Sequence, residues 1–273
     1  MGENTNSGQA KGSVQSLNRA LGLLQILAEH PDGLPLADIA PLAQLAPSTA
    51  HRLLSSLQAL DFVSFEQDNS RWFVGLAAFR AGAGYLRRRD HIASARKVMR
   101  QLVEQTGETS NLAVHKNGTL TFVAQIECNE AMRMAVPLGA RGPLHASAVG
   151  KAILAFTNVQ EREPVLDSLS YDALTAKSHC SKDALLSDLR NIRSRGYGVD
   201  DEEQSLGLRC IGAPIFDEFG EPIFAVSISG PTVRVTSERL ASLASYVVQA
   251  SDLITEKVGG IKPKDIFCSH EKL

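Results

Sequence analysis

The sequence predicts two parts: an N-terminal winged helix-turn-helix, mainly α with a β-hairpin wing, and a larger C-terminal α+β domain. Three observations carry that expectation. Residues 45–60 place Ala50, Leu53, Leu54, Leu57 and Leu60 at helical spacing along one apolar stripe and leave Ser48, Thr49, His51, Arg52, Ser55 and Ser56 facing outward. A short helical segment, 36–43, precedes them across a tight turn at 44–46, and two β-prone runs follow, 62–65 and 72–74, around the polar tip 66–70. Beyond residue 90, strand-like runs occur as hairpins with helices set apart from them, the pattern of an antiparallel sheet layered by helices.

The elements follow in order. Residues 13–30 predict the first helix, with Leu17, Leu21, Leu24 and Leu27 as its inner face and Pro31-Asp-Gly33 as its stop. Pro47 suits the first turn of the helix at 47–60, where its missing N–H costs nothing. The segment 76–86 is dominated by small residues, and Arg87-Arg-Arg89 follow it. It predicts a linker helix that can approach another helix closely, with the arginines as a solvated face or a phosphate contact.

A helix at 92–105 stops at Gly107, and strands at 111–115 and 120–126 flank the hairpin signal Lys116-Asn-Gly118. Residues 132–137 predict a further strand. Helices are expected at 148–156 and at 182–195, the second with Ser181 as N-cap and Gly196 just past its end. Strands at 211–216 and 223–228 surround the turn Glu218-Phe-Gly220, and a closing helix covers 236–257. The expected division is a disordered tail 1–12, a winged helix-turn-helix 13–75, a linker helix 76–90, an α+β domain 91–259 and an extension 260–273.

The chain has 273 residues, 44% of them hydrophobic and 21% charged, the content of a soluble globular protein with a sizeable core. No apolar run nears the ~20 residues that span a bilayer, so no membrane partner is expected. The polar segment 1–11 has the features of neither a signal nor a transit peptide, and a cytoplasmic location is the default. The four cysteines, Cys128, Cys180, Cys210 and Cys268, form no C-x-x-C pair, so neither a zinc site nor a disulfide framework is expected.

A second helix that presents Ser, Thr and Arg near its start is the geometry of a helix entering the DNA major groove. Ser48, Thr49, His51 and Arg52 are therefore candidate DNA contacts, with Asn69 and Arg71 on the wing as candidates for phosphate or minor-groove contact. Taken singly, each has an ordinary alternative as a cap, a turn residue or a solvated face. The neighbouring helix and hairpin favour DNA. Net charge opposes it: residues 12–75 hold three basic side chains (Arg19, Arg52, Arg71) against six acidic ones (Glu29, Asp32, Asp38, Asp61, Glu66, Asp68). A basic footprint is the usual mark of such a domain, so weak binding per copy and a need for several copies are expected.

Five motifs resemble the IclR family of bacterial transcriptional regulators, in order and at family spacing. They are Ser48-Thr-Ala-His-Arg-Leu-Leu54, Pro143-Leu-His-Ala-Ser-Ala-Val-Gly-Lys151, Gly196-Tyr-Gly-Val-Asp-Asp-Glu-Glu203, Gly207-Leu-Arg-Cys-Ile211 and Ala225-Val-Ser-Ile-Ser-Gly230. The resemblance runs over roughly 14–259, and the branch it points to is that of the allantoin/glyoxylate and short lactone/semialdehyde catabolism repressors. It implies a GAF-like fold for the C-terminal domain, homodimers or homotetramers, a palindromic double-stranded operator, and release or modulation of DNA by a small carboxylate effector.

The resemblance also places the effector on the backbone amides of Ala148 and Val149 and on the side chains of Asp200, Cys210, Ser227 and Ser229. Met134, Leu138 and Leu208 are candidate apolar walls. The residues themselves agree with this. A helix N-terminus is an anion site, and Ser227 and Ser229, two apart on a strand, point to one side. Asp200 beside a bound acid is repulsive unless it is protonated or accepts from a ligand hydroxyl. Hydroxy acids, oxo acids and semialdehyde acids meet that condition. Relatives often carry Gly at the helix start, where this chain has Ala148 and Val149.

An activator uses the same parts as a repressor. A constitutive architectural protein would not need a polar-lined α+β domain. A Cys210, His145 and Asp200 set is conceivable for an enzyme acting on small acids, but G-x-S-x-G, Walker A and H-E-x-x-H motifs are absent. No catalytic residue, metal or cofactor is expected. Glu202 and Glu203 are expected as surface or helix-pairing charges.

Overall fold

The computed structural model describes residues 14–87, 90–116 and 118–263. They fall into two compact units, Met1–Arg88 and Arg89–Leu273. The expected tail 1–12, Arg88 and Arg89 of the arginine triplet, and the extension from 264 onward lie outside the described residues.

The first unit is α1 (Gln15–Ala28), α2 (Leu36–Leu42), α3 (Pro47–Ala59), the antiparallel hairpin β1 (Val63–Glu66) and β2 (Arg71–Val74), and α4 (Leu76–Arg87). Its core is Leu23, Leu27, Ile39, Ala40, Ala50, Leu54, Val63 and Trp72. The wing gains a third rung: Trp72 N donates to Leu34 O at 2.8 Å, and Leu34 N donates back at 3.0 Å.

Two apolar assignments need correction. On α1, Leu17 and Leu21 are exposed, while Leu23 and Leu27 are buried with Leu24 half-buried. The helix is leucine-rich on adjacent lines, and its contacts with α3 and β2 select the second line, which periodicity alone does not distinguish. On α3 the stripe ends one residue early. Leu60 caps the helix with non-helical φ −101°, so helical spacing no longer directs its side chain, and it is exposed.

The second unit is a six-stranded sheet between helices. Its elements are α5 (Asp90–Thr106), β3 (Thr109–Lys116), β4 (Thr119–Ile126), β5 (Arg141–Gly142), α6 (Ala148–Phe156), α7 (Val159–Ser168), α8 (Lys182–Arg195), β6 (Gly198–Asp201), β7 (Leu208–Phe216), β8 (Pro222–Pro231) and α9 (Leu240–Lys257). The strand order is β5-β4-β3-β8-β7-β6, with every neighbouring pair antiparallel. On one face Leu112, Ile211, Ile215, Val226 and Ile228 pack with Met99 and Leu102 of α5 and Leu243 and Val247 of α9. On the other, Ala113, Phe122, Phe216 and Ala225 pack with Val149 and Ile153 of α6, Leu166 of α7 and Leu185, Leu189 and Ile192 of α8.

Several expectations change here. Residues 132–137 form no strand; the segment is irregular up to the turn at Gly139, and only Arg141–Gly142 pairs with β4. Its β-prone residues find no neighbouring strand to pair with, since β5 is held by Phe122 N donating to Ala140 O at 3.0 Å. The last helix starts at Leu240, because 232–234 turn back on Pro231, whose carbonyl accepts from Arg234 N and Val235 N at 2.9 Å. Besides β5, two elements were not expected. α7 buries only Arg162 and Leu166 and carries Pro164 inside it, so it has almost no apolar period, and β6 is four residues long.

Helix α6 approaches the sheet closely because glycines lie under it. A Cβ on Gly198 would stand 2.5 Å from the Ala148 carbonyl oxygen, and one on Gly212 would stand 3.0 Å from Val149 N. Gly198→Ala must push α6 off the sheet. The expected cost is about 1–3 kcal/mol, measured as a lowered urea midpoint; an unchanged midpoint would mean that α6 has room to spare.

Candidate functional site

On the first unit, α3 exposes Ser48, His51 and Arg52 and half-buries Thr49. Pro47 occupies its first turn, and Ala46 offers no capping side chain. Arg52, Thr49 and Ser56 line one cleft of ≈ 310 Å³ together with Arg19 and Ser16 of α1. Two of the three basic side chains of residues 12–75 thus share one groove, a placement that the charge count conceals. Arg19 was not among the expected contacts; its place on the polar side of α1 was visible, but its nearness to Arg52 depends on how the helices pack.

The wing residues have internal tasks. Asn69 Nδ2 donates to Glu66 Oε2 at 2.8 Å, and its Oδ1 accepts from Arg71 N at 3.1 Å. Arg71 Nη1 donates to the carbonyls of Gly33 at 2.7 Å and Asp32 at 3.3 Å, tying the wing to the turn after α1. His51 meets Trp72 edge-on, with ring centroids 6.2 Å apart.

On the second unit, strand register assembles the other candidates. Asp200, Cys210 and Ser229 lie opposite one another across β6, β7 and β8, with Thr109 of β3 next in line. The adjoining row is Gly198, Gly212, Ser227, Asn111 and Gln125. Directly paired residues of an antiparallel sheet share a face, and this is the face that α6 covers. The first two amides of α6, from Ala148 and Val149, have no acceptor within the helix, and they rest over the two glycines of the second row. Ser147 caps the helix by accepting from Gly150 N at 3.1 Å. Met134 and Leu208 are half-buried, while Leu138 is 56% exposed and so is a weak candidate for a wall.

Asp200 has no exposed surface. Its Oδ1 accepts from the backbone N–H of Glu203 at 2.8 Å and of Gln204 at 3.2 Å, while Oδ2 has no hydrogen-bond partner. Burial, reinforced by the Glu203 charge and only partly offset by those two amides, raises its pKa to about 7. Burial, with Asp200 alongside, also pushes the Cys210 thiol well up, the opposite of what a nucleophile needs. His145 donates from Nε2 to the Asp172 carbonyl at 3.0 Å. The Cys210, His145 and Asp200 set therefore has no catalytic poise.

Glu203 is no surface charge. It is 7% exposed, and its Oε1 accepts from Lys151 Nζ at 2.5 Å; the same ammonium, itself fully buried on α6, donates to Asp188 Oδ2 at 2.8 Å. Glu202 does fit the expectation, pairing with Lys177 at 2.6 Å near the surface. His179, Asp188 and Glu203 bring three metal-type ligand atoms within 4.8 Å of one another, but the Lys151 ammonium already bonds both carboxylates, which makes the group an ion-pair network. A cleft of ≈ 510 Å³ runs past this network along the outer edge of β6. The buried lysine carried no distinguishing signal in the sequence, where it stands at the end of an apolar, small-residue motif.

Two outcomes follow. Lys151→Met leaves the buried Glu203 carboxylate without its ammonium and takes one of Asp188's cationic partners, and is expected to destabilise the fold by about 3–5 kcal/mol in urea melts; a loss under about 1 kcal/mol would show that water already solvates Glu203. Asp200 sets a pH dependence. Its pKa rises from 3.8 unfolded to about 7 folded, so the native state holds this proton more tightly. Its contribution is fully present below about pH 4 and is lost as pH rises through about 7. Glu203, also raised by burial, acts in the same direction. Against the upward push of burial, the hydrogen bonds from His179 and Lys151 hold Asp188 well below the usual range, which favours the fold above that range. Asp200→Asn is expected to flatten the fall in stability between about pH 4 and 7, and equal slopes in variant and parent would contradict the buried carboxyl.

Both units match known protein families. Residues 16–67 match the IclR helix-turn-helix domain, and residues 83–256 match the family described as bacterial transcriptional regulator IclR C-terminal. The chain is 39% identical over 255 residues to the transcriptional repressor IclR of Escherichia coli K12, covering 93% of each chain. It is 36% identical over 250 residues to the transcriptional repressor AllR of the same strain, covering 92% of each. A crystal structure of an IclR homologue from Microbacterium hydrocarbonoxydans, complexed with 4-hydroxybenzoate, shares the fold at TM-score 0.77 and 22% identity, covering 89% of this chain and 99% of that one. These are regulators of transcription, not enzymes, and among the described residues no helix is long and apolar enough to cross a membrane. With both domain families matched along the chain, this protein belongs to the IclR family of bacterial transcriptional regulators.

Proposed function

We propose that the chain is a cytoplasmic repressor of a catabolic operon that leaves its operator, or is modulated there, when a small carboxylate binds its C-terminal domain. The observation that carries the effector half is the polar row Asp200–Cys210–Ser229 beneath the unbonded amides of Ala148 and Val149. Those amides suit a carboxylate, and Asp200 Oδ2, buried and unpaired, suits a hydroxyl or hydrated carbonyl at the ligand's other end. The repressor half is supported by the two relatives named as repressors. An acid with a hydroxyl group, as in the neighbour's 4-hydroxybenzoate, is the class of ligand that this arrangement favours.

In this reading residues 13–75 form the DNA-binding domain, 76–90 the linker and 91–259 the effector domain. Two or four copies place α3 helices in successive major grooves of a palindromic site. Ser48, Thr49, His51 and Arg52, joined by Arg19, face phosphates and base edges; Asn69 and Arg71 shape the wing that lies beside them. An effector that moves the population from 99:1 to 1:99 must favour one arrangement by about 10⁴-fold, so several of these contacts must change together.

Gel shifts with DNA from upstream of the protein's own gene test the first half. Arg52→Ala is expected to weaken binding by about tenfold or more, the scale of one bidentate contact, and to leave the melting temperature in place. Binding unaffected by the change would remove α3 as the reading helix. The second half is tested by adding glyoxylate, pyruvate, succinic semialdehyde and 4-hydroxybutyrate. Asp200→Ala and Ser229→Ala are expected to abolish the response, and a response retained in both would rule out the pocket.

A further inference from the structure

We infer that Asn111 and Gln125 are positioning residues of the effector site, which turn the Ser229 hydroxyl into a donor aimed at the ligand's carboxylate or carbonyl oxygen. This rests on the pocket reading above and adds two strands to it. Asn111 is 1% exposed and lies on β3, directly opposite Gln125 of β4 on one side and Ser227 of β8 on the other. Gln125 Nε2 donates to Asn111 Oδ1 at 2.7 Å, which leaves Asn111 Nδ2 to donate to Ser229 Oγ at 3.2 Å.

A relay of amides has a direction. A serine hydroxyl has one proton and two lone pairs. With a lone pair engaged by Asn111, its proton is available elsewhere, and its neighbour in the row is the Cys210 thiol. Sulfur is a weak acceptor, so a carboxylate or carbonyl oxygen outcompetes it. At the far end of the same row, Asp200 Oδ2 lacks a partner and accepts when ionised. The row thus presents a donor at Ser229 and an acceptor at Asp200. It selects an acid whose oxygen takes the Ser229 proton and whose hydroxyl, or hydrated carbonyl, donates to Asp200, and it disfavours a ligand with acceptors at both ends.

Gln125 is half-buried, which makes it the position at which to reverse the relay. In Gln125→Glu the new carboxylate only accepts. The Asn111 amide then turns over, its Oδ1 takes the Ser229 proton, and the ligand meets lone pairs. Calorimetry on the full chain, with whichever of glyoxylate, pyruvate, succinic semialdehyde and 4-hydroxybutyrate binds the parent, is expected to show Kd raised by about 10- to 100-fold, the scale of one charge-assisted hydrogen bond. Gln125→Met, which frees the relay without reversing it, is expected to cost about fivefold or less. The Gln125→Glu effect should persist at about 0.5 M salt, where through-space repulsion is screened.

The inference is overturned if Gln125→Glu binds as well as Gln125→Met, or if its penalty vanishes at high salt. Ser229→Ala and Asp200→Ala run in parallel. If they weaken binding and Gln125→Glu does not, the pocket stands and the relay falls. If they leave Kd unchanged, or if the parent binds none of the four acids, pocket and relay fall together.

Discussion

The arrangement of the second unit depends on one close approach, the seating of α6 on two glycines. Gly198 and Gly212 have no side chains to hold the helix away, so the start of α6 lies against the sheet backbone. That contact puts two amides without intrahelical acceptors over a row of hydroxyl, thiol and carboxyl groups. It also brings Lys151, on the same helix, down to Asp188 and Glu203. A helix held further out would leave the amides to water and take the buried Lys151 away from the buried Glu203, and isolated buried charges are strongly unfavourable.

Much of this was legible in the sequence, and the unreadable parts share a cause. Helix α3, the wing hairpin, α8 with its Ser181 cap and Gly196 stop, and the hairpin of β3 and β4 follow from local pattern, which acts over a few residues. The pairing of Ser227 with Ser229 on one face was legible for the same reason. What could not be read were choices made by distant partners. Leu23 displaced Leu21 from the core because α1 has two apolar lines and only its neighbours select one. Residues 132–137 have strand-forming side chains and no strand to meet. Glu203 looked like a surface charge because its partner, Lys151, is remote in sequence. Asn111 and Gln125 read as ordinary strand residues, since a buried amide relay has no signature except its register.

The first unit shows how little net charge decides at short range. The acidic surplus of residues 12–75 argues against DNA, yet Arg19 and Arg52 line one groove with Thr49 and Ser56. At physiological salt, exposed charges more than about 8 Å apart are largely screened from each other. The field within that groove is set by the two guanidinium groups beside it. The domain's total charge governs the approach from a distance, and therefore the rate of encounter more than the strength of contact.

Asp200 belongs to two structures at once. One oxygen grips the backbone amides of Glu203 and Gln204, the other lies in the row beneath α6, and Glu203 in turn holds Lys151 of that same helix. The chain of bonds leaves α6 through its lysine and returns beneath its first turn, a closed mechanical circuit with a single carboxyl group as the joint. Whatever displaces that carboxyl must also tug on the bend that anchors the helix above it, so the carboxyl and the helix cannot shift independently.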